Sequence, residues 1–226
     1  MQEKIEAVLF DLWMTLVFGL STDPILTLQR NLTGDHDAAL DPRFLHACLT
    51  TNIGRPGRFL DRIGRTSGYT VTPETRESFR ALIKAERSAV TLYPETLAVL
   101  SELKRRGYRL GVISNLWPFP VKHIFERMGL GAHFEHLIYS FAEGHRKPSA
   151  EIFASASRSF GVAPANCLMV GDSIESDIKG ALAYGMNAAL VNRTGKALVP
   201  PADSFSITSL SGLITRLDEG GGLCSR

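Results

Sequence analysis

The stretch Ile5-Glu6-Ala7-Val8-Leu9-Phe10-Asp11-Leu12-Trp13-Met14-Thr15-Leu16 decides the fold. Its apolar run is short and breaks off at an acid, the pattern of a buried strand that presents one carboxylate at the mouth of a sheet. A carboxylate in that position serves as a nucleophile or a metal ligand. Two residues further on stands Trp13, whose indole moves no proton, so the stretch holds a nucleophile without the acid/base expected beside it.

From Pro94 onward the chain alternates between helix and strand. Pro94 opens a helix with Leu97, Leu100 and Leu103 on one face, Lys104, Arg105 and Arg106 in its last turn and Gly107 as its stop. The strand Arg109-Leu110-Gly111-Val112-Ile113 follows and ends at Ser114-Asn115. A second helix carries Val121, Ile124, Phe125 and Met128, and a second strand, His136-Leu137-Ile138-Tyr139, leads into the loop Arg146-Lys147-Pro148. A third helix turns Ile152, Phe153, Ala156 and Phe160 inward. The apolar strand Cys167-Leu168-Met169-Val170 runs into Gly171-Asp172, a fourth helix spans about Ser176 to Tyr184, Ala188-Ala189-Leu190-Val191 is the last strand, and Thr208 to Leu217 closes the chain as a helix. This spacing predicts a doubly wound α/β fold, a parallel sheet of about five strands covered on both faces. In such a sheet ligands bind beyond the carboxyl ends of the strands. Asp11, Ser114, Lys147 and Asp172 all fall there.

Residues 17 to 91 break the alternation. Pro24 to Asn31, Arg43 to Leu49 and Glu74 to Val90 read as amphipathic helices, the last with Phe79, Leu82, Ile83 and Ala89 apolar. The expected organisation is an α/β core over 1–16 and 92–226, with 17–91 inserted as a helical cap. Because the insertion leaves just after Asp11 and returns just before Pro94, it sits over the strand ends and excludes water from them.

The 226 residues carry 25 basic and 23 acidic side chains, too even a balance to argue for nucleic acid or an anionic membrane. Only Arg55, Arg58, Arg62 and Arg65 form a local excess, expected on a solvated face of the cap, with Arg55 and Arg58 candidates for meeting an anionic substrate. Cys48, Cys167 and Cys224 lack metal-ligand spacing and read as buried or incidental thiols in a reducing compartment. No apolar run reaches the ~20 residues that span a bilayer, and the start lacks a basic region followed by a long apolar one, so a cytoplasmic location is expected. The glycine-rich tail Glu219 to Arg226 is expected to fray.

Four pieces converge on the strand ends: Phe10-Asp11-Leu12-Trp13-Met14-Thr15-Leu16, Ile113-Ser114-Asn115, Lys147-Pro148, and Gly171-Asp172-Ser173-Ile174-Glu175-Ser176-Asp177. A carboxylate nucleophile needs a cation to screen it from an incoming anion and a hydroxyl to orient the oxygen being transferred. Asp11, Lys147 and Ser114 match those needs, and Asp172 with Asp177 adds hard oxygen ligands suited to magnesium. At these residues the chain resembles the haloacid dehalogenase-like superfamily, most members of which are phosphatases working through an aspartyl-phosphate, and the resemblance covers about 1–16 and 92–195. It implies Asp11 as nucleophile and magnesium ligand, the Trp13 carbonyl and Asp172 as further ligands, and Asp177 as support for the metal or for Lys147. It also implies that Ser114 binds the transferring group, that Lys147 pairs with that group, and that Thr15 orients the turn after Asp11. Asn115 joins Arg55 and Arg58 as a candidate substrate contact, and the insertion matches the superfamily's helical cap.

Trp13 departs from the phosphatase pattern, which has a second Asp there. The dehalogenase branch carries an aromatic residue at that point but works without metal, typically with serine where this chain has Asp172 and tyrosine where it has Phe153. Three readings follow. The first is a magnesium-dependent phosphatase of small phosphorylated metabolites, slow or restricted to good leaving groups; the second is a metal-free 2-haloacid dehalogenase; the third is a non-catalytic binding protein on the same fold. The expected partner is a small anionic substrate, a phosphate ester in the first reading, and the oligomeric state is left open.

Overall fold

A computed structural model describes residues 4–218 of the chain; the glycine-rich tail and Cys224 lie outside them. β1 (Ala7–Phe10) is buried on both faces. Val8 and Phe10 point into one apolar cluster, and Ala7 and Leu9 into the other, as the two-residue period of a strand requires. After β1 the chain forms β2 (Val17–Phe18), then the helices α1 (Pro24–Thr33), α2 (Pro42–Thr50), α3 (Pro56–Ser67) and α4 (Pro73–Ala89), and returns through β3 (Thr91–Leu92), which pairs antiparallel with β2. Each of these helices starts at a proline, where the missing N–H costs nothing.

The alternating part follows: α5 (Thr96–Arg105), β4 (Arg109–Ser114), α6 (Val121–Arg127), β5 (His136–Tyr139), α7 (Ser140–Glu143), α8 (Ala150–Phe160), β6 (Cys167–Gly171), a π-helical turn at Ile174–Lys179 that runs into α9 (Gly180–Tyr184), β7 (Asn187–Val191), β8 (Ser204–Ile207) and α10 (Ser211–Asp218). The sheet is parallel throughout, in the order β5-β4-β1-β6-β7-β8. One face packs on Val99, Leu100 and Leu103 of α5, Ile124 and Phe125 of α6 and Leu213 of α10; the other packs on α8 and α9. Each such side chain contributes about 1.5–3 kcal/mol on burial.

The doubly wound α/β class holds, with differences of detail. The sheet has six strands, because Ser204-Phe205-Ser206-Ile207 adds an edge strand after β7. The Pro94 helix begins at Thr96, and Leu97 is exposed while Thr96 and Val99 turn inward with Leu100 and Leu103, a rotation of the expected face by one position. The arginine-rich stretch forms α3, whose buried side holds Phe59, Leu60 and Ile63.

The helices α1 to α4 share a third apolar cluster. Trp117 and Phe119, from the loop after β4, insert into it and stack edge-on against Phe59 and Phe79. Edge-to-face pairs of this kind add about 0.5–1.5 kcal/mol each beyond the area they bury, so the loop after β4 fastens the helices to the sheet. No helix among the described residues is long and apolar enough to cross a membrane. Cys48 and Cys167 are buried free thiols, as expected.

Candidate active site

Asp11 leaves β1 with its main-chain N–H still in the sheet, donating to the Val170 carbonyl at 2.9 Å. The chain then folds back at once: the Leu16 and Val17 N–H groups donate to the Leu12 carbonyl (2.9 and 3.0 Å), and Met14 N–H donates to the Val17 carbonyl (2.7 Å). Met14 takes the left-handed conformation at φ 58°, an uncommon one for a side chain of its size. Arg193 fastens this loop from outside. Its Nη2 donates to the Thr15 carbonyl at 2.9 Å, its Nη1 pairs with Glu95 at 2.8 Å, and its guanidinium lies 3.4 Å from the centre of the Tyr93 ring. The Thr15 hydroxyl is buried and makes no hydrogen bond, so the loop is held through the Thr15 main chain rather than its side chain.

Lys147 is the hub. Its buried Nζ lies 2.6 Å from Asp11 Oδ1 and 2.6 Å from Asp177 Oδ1, and it donates to the Ile113 carbonyl at 2.7 Å. Ser114 Oγ donates to Asp11 Oδ1 at 3.0 Å. Asn115 exchanges two hydrogen bonds with the Lys147 main chain, its Oδ1 accepting from the N–H at 2.8 Å and its Nδ2 donating to the carbonyl at 3.0 Å. That clasp fixes the lysine loop against the end of β4. Asp177 is swung inward by the π-helical turn, in which Ile178 N–H reaches back five residues to the Ser173 carbonyl, and its Oδ2 accepts from Ser173 N–H at 3.0 Å. Gly171 is required here, because a Cβ would collide with the Asp177 carboxylate.

Asp11, Asp172 and Asp177 offer oxygens that all lie within 4.8 Å of one another. Burial raises the Asp11 carboxyl above its usual range, with Lys147 opposing and Asp177 adding. Burial, with the Asp11 and Asp177 charges alongside, lifts Asp172 to about 7. Burial pulls the Lys147 ammonium down, but Asp11 and Asp177 together overcome it and hold it above the lysine range. One ammonium thus stands against three carboxylates, and this set of hard oxygen donors fits a divalent cation that keeps several waters.

A cavity of about 360 Å³ opens among the residues that follow Asp11 and Ser114 in the chain. Trp13, Met14, Asn115, Leu116 and Trp117 reach it from the strand ends, while Ile25, Leu45, Leu49 and Glu86 reach it from the helices. Arg55 and Arg58 do not line it. Arg55 precedes α3 and is exposed, and Arg58 borders a separate hollow with Arg62 and Arg65.

Glu86 was not among the residues singled out from the sequence. A single acid within Lys84-Ala85-Glu86-Arg87 looks like a solvated helix face, but Glu86 lies seven residues after Phe79 and so in phase with the buried stripe.

The parallel sheet of this α/β protein thus brings strand-end carboxylates and one buried lysine together at a single site. The chain matches the family of haloacid dehalogenase-like hydrolases over residues 5–185 and belongs to it. It is similar to a phosphoserine phosphatase of Thermus thermophilus, 36% identical over 139 residues that cover 61% of this chain and 56% of the relative. It is also similar to a glyceraldehyde 3-phosphate phosphatase of Methanothermobacter thermautotrophicus, 40% identical over 44% of each chain. The chain thus spans about half the length of these relatives. Among solved structures, a 2-haloacid dehalogenase from Pseudomonas syringae pv. Tomato superposes with a TM-score of 0.67 at 26% identity, covering 96% of this chain and all of that one.

Proposed function

We propose that the protein is a magnesium-dependent phosphatase of small phosphate esters, with Asp11 as nucleophile. The single observation that carries this reading is the carboxylate trio around Lys147: Asp172 adds a negative charge beside the nucleophile that only a cation makes useful. The names of the two relatives support the same chemistry.

In this reading an Asp11 oxygen attacks phosphorus, the bond to the substrate's alcohol oxygen breaks with its electron pair leaving on that oxygen, and an aspartyl-phosphate forms. Water then attacks phosphorus, releases phosphate and restores Asp11. Lys147 screens the nucleophile from the incoming anion, and the Ser114 hydroxyl, now on Asp11, turns to a phosphoryl oxygen. Asp11, Asp172 and the Trp13 carbonyl, with Asp177 in support, would hold magnesium, which would supply positive charge to the phosphoryl oxygens. Asn115 positions the lysine loop. Residues 17–91 serve as a cap that covers the reacting group, which fits a cytoplasmic enzyme acting on small metabolites. Because Trp13 donates no proton, turnover favours leaving groups that depart as anions.

Trp13 and the likeness to the dehalogenase favour a second reading, metal-free displacement of halide from a 2-haloacid. One assay separates them. Wild type should release nitrophenol from p-nitrophenyl phosphate only with magnesium, and Asp11→Asn should not release it at all while keeping its circular dichroism. Halide release from 2-chloropropionate in chelator, with no phosphatase activity, would establish the second reading instead.

A further inference from the structure

The cavity beside Trp13 has an unusual charge balance. Among the described residues no lysine, arginine or histidine lines it, yet two carboxylates do, Asp23 and Glu86. Asp23 is committed, since its Oδ1 caps α1 by accepting from Ile25 N–H at 2.8 Å and Leu26 N–H at 3.2 Å. Glu86 is not. It is 3% exposed, and its two oxygens share one donor, the Trp117 indole N–H, at 3.2 and 3.0 Å. The neighbouring Arg87 turns away and spends its guanidinium on the Phe119 carbonyl, at 3.1 and 2.9 Å.

A buried carboxylate with one neutral donor is costly unless a ligand completes it. Burial, only partly opposed by Trp117 and Arg87, accordingly lifts Glu86 to about 7. The rest of the wall is mostly apolar and aromatic, with Trp13, Leu20 and Leu45 in it, and its other polar members, Ser21, Thr22 and Asn115, are uncharged.

The geometry points to a substrate whose alcohol portion joins an apolar, ring-sized body to an ammonium group that meets Glu86, and that carries neither a carboxylate nor a second phosphate. The phosphate end of this substrate rests on the phosphatase reading; the amine end rests on the cavity alone. An anionic tail would enter a wall with no cation and face two carboxylates. Arg55 and Arg58, the candidates for an anionic substrate, stand outside this cavity.

Three aryl phosphates that differ only in their tail test this: tyramine phosphate, 4-ethylphenyl phosphate, and the phosphate of 3-(4-hydroxyphenyl)propionate. Each releases a phenolate, so the absent proton donor weighs on all three alike. With magnesium, kcat/KM should fall in that order, and Glu86→Gln should cut the ratio of the first to the second by roughly ten- to a hundredfold, the value of a charge-assisted hydrogen bond. Glutamine keeps an acceptor for Trp117. A wild type that prefers the carboxylate tail, or is indifferent to the tail, overturns the inference, and so does a folded Glu86→Gln that keeps the wild-type ratio. If none of the three is hydrolysed, the phosphatase reading falls, and calorimetry with the bare phenols decides the inference separately. Tyramine binding that weakens in Glu86→Gln upholds it; no tyramine binding, or equal binding in both proteins, overturns it.

Discussion

Lys147 and Glu86 are both buried charges beside the carboxyl ends of β1 and β4, and the protein treats them in opposite ways. Lys147 is met by two carboxylates at 2.6 Å and a carbonyl at 2.7 Å. Glu86 is met by one indole N–H. The first site holds its charge whether or not substrate is present, so Asp11, the proposed nucleophile, is oriented in advance. The second is incomplete, and its missing partner must arrive with the ligand. A buried charge whose partners are all in the chain builds a site, whereas one without them describes what the site is for.

The largest effect should come from breaking the first arrangement. Lys147→Met leaves three carboxylates facing one another and should cost about 3–5 kcal/mol of stability at pH 8 in chelator, read as a loss in Tm, and abolish turnover. A variant as stable as wild type would mean that the lysine is not the hub.

Next in size is the missing proton donor. Trp13→Asp should raise turnover of alkyl phosphates by about a hundredfold while changing aryl phosphates little. The indole packs on Gly19, where a Cβ would lie 2.8 Å from the ring, so the Tm must be followed beside the rate. An equal gain on both substrate classes would show that proton donation is not the defect.

The Glu86 side is read through pH. Its carboxyl sits at about 7 in the folded protein, above the usual glutamate value, so folding opposes its ionisation. Stability attached to this group is fully present below about pH 4.5 and is lost as pH rises through 7. Glu86→Gln should therefore be more stable than wild type by on the order of 2 kcal/mol at pH 8, with the difference vanishing toward pH 4.5. Asp172, also at about 7, and Asp11, at about 6, should make wild type in chelator lose stability as pH rises through those values, and magnesium should recover their share but not that of Glu86. A Tm difference between Glu86→Gln and wild type that does not vary with pH would remove the contrast between the two charges.

The smallest effect is expected at Gly19. Gly19→Ala should push the indole into the cavity, costing about 1 kcal/mol and raising KM for bulky aryl phosphates more than for phosphate esters without a ring. Unchanged KM values would place the indole outside the substrate's path.

What was legible in the sequence follows the same division. β1, β4, β6 and β7 could be read because strands buried on both faces are near-continuous apolar runs, and the residues that follow or end three of them, Asp11, Ser114 and Asp172, are polar against that background; the edge strand β5 could be read from the apolar run Leu137-Ile138-Tyr139. The edge strand β8 has only Phe205 and Ile207 alternating with Ser204 and Ser206, and β2 and β3 are two residues each, so their pairing is a tertiary event with no local signal. α3 was hidden behind its own arginines, which drew attention to charge rather than to the spacing of Phe59, Leu60 and Ile63. Lys147 and Asp11 were visible because they stand at breaks in pattern. Glu86 sits inside a pattern, and only the helical phase set by Phe79 marks it as inward-facing.

The proposed chemistry requires that Asp11 take up a phosphoryl group with magnesium at hand. Fluorine NMR of the protein with beryllofluoride, which mimics an aspartyl-phosphate, tests it most directly. Wild type should show bound fluoride resonances that require magnesium, and Asp11→Asn should show none. Wild type without bound resonances, or Asp11→Asn with the same ones, would contradict it.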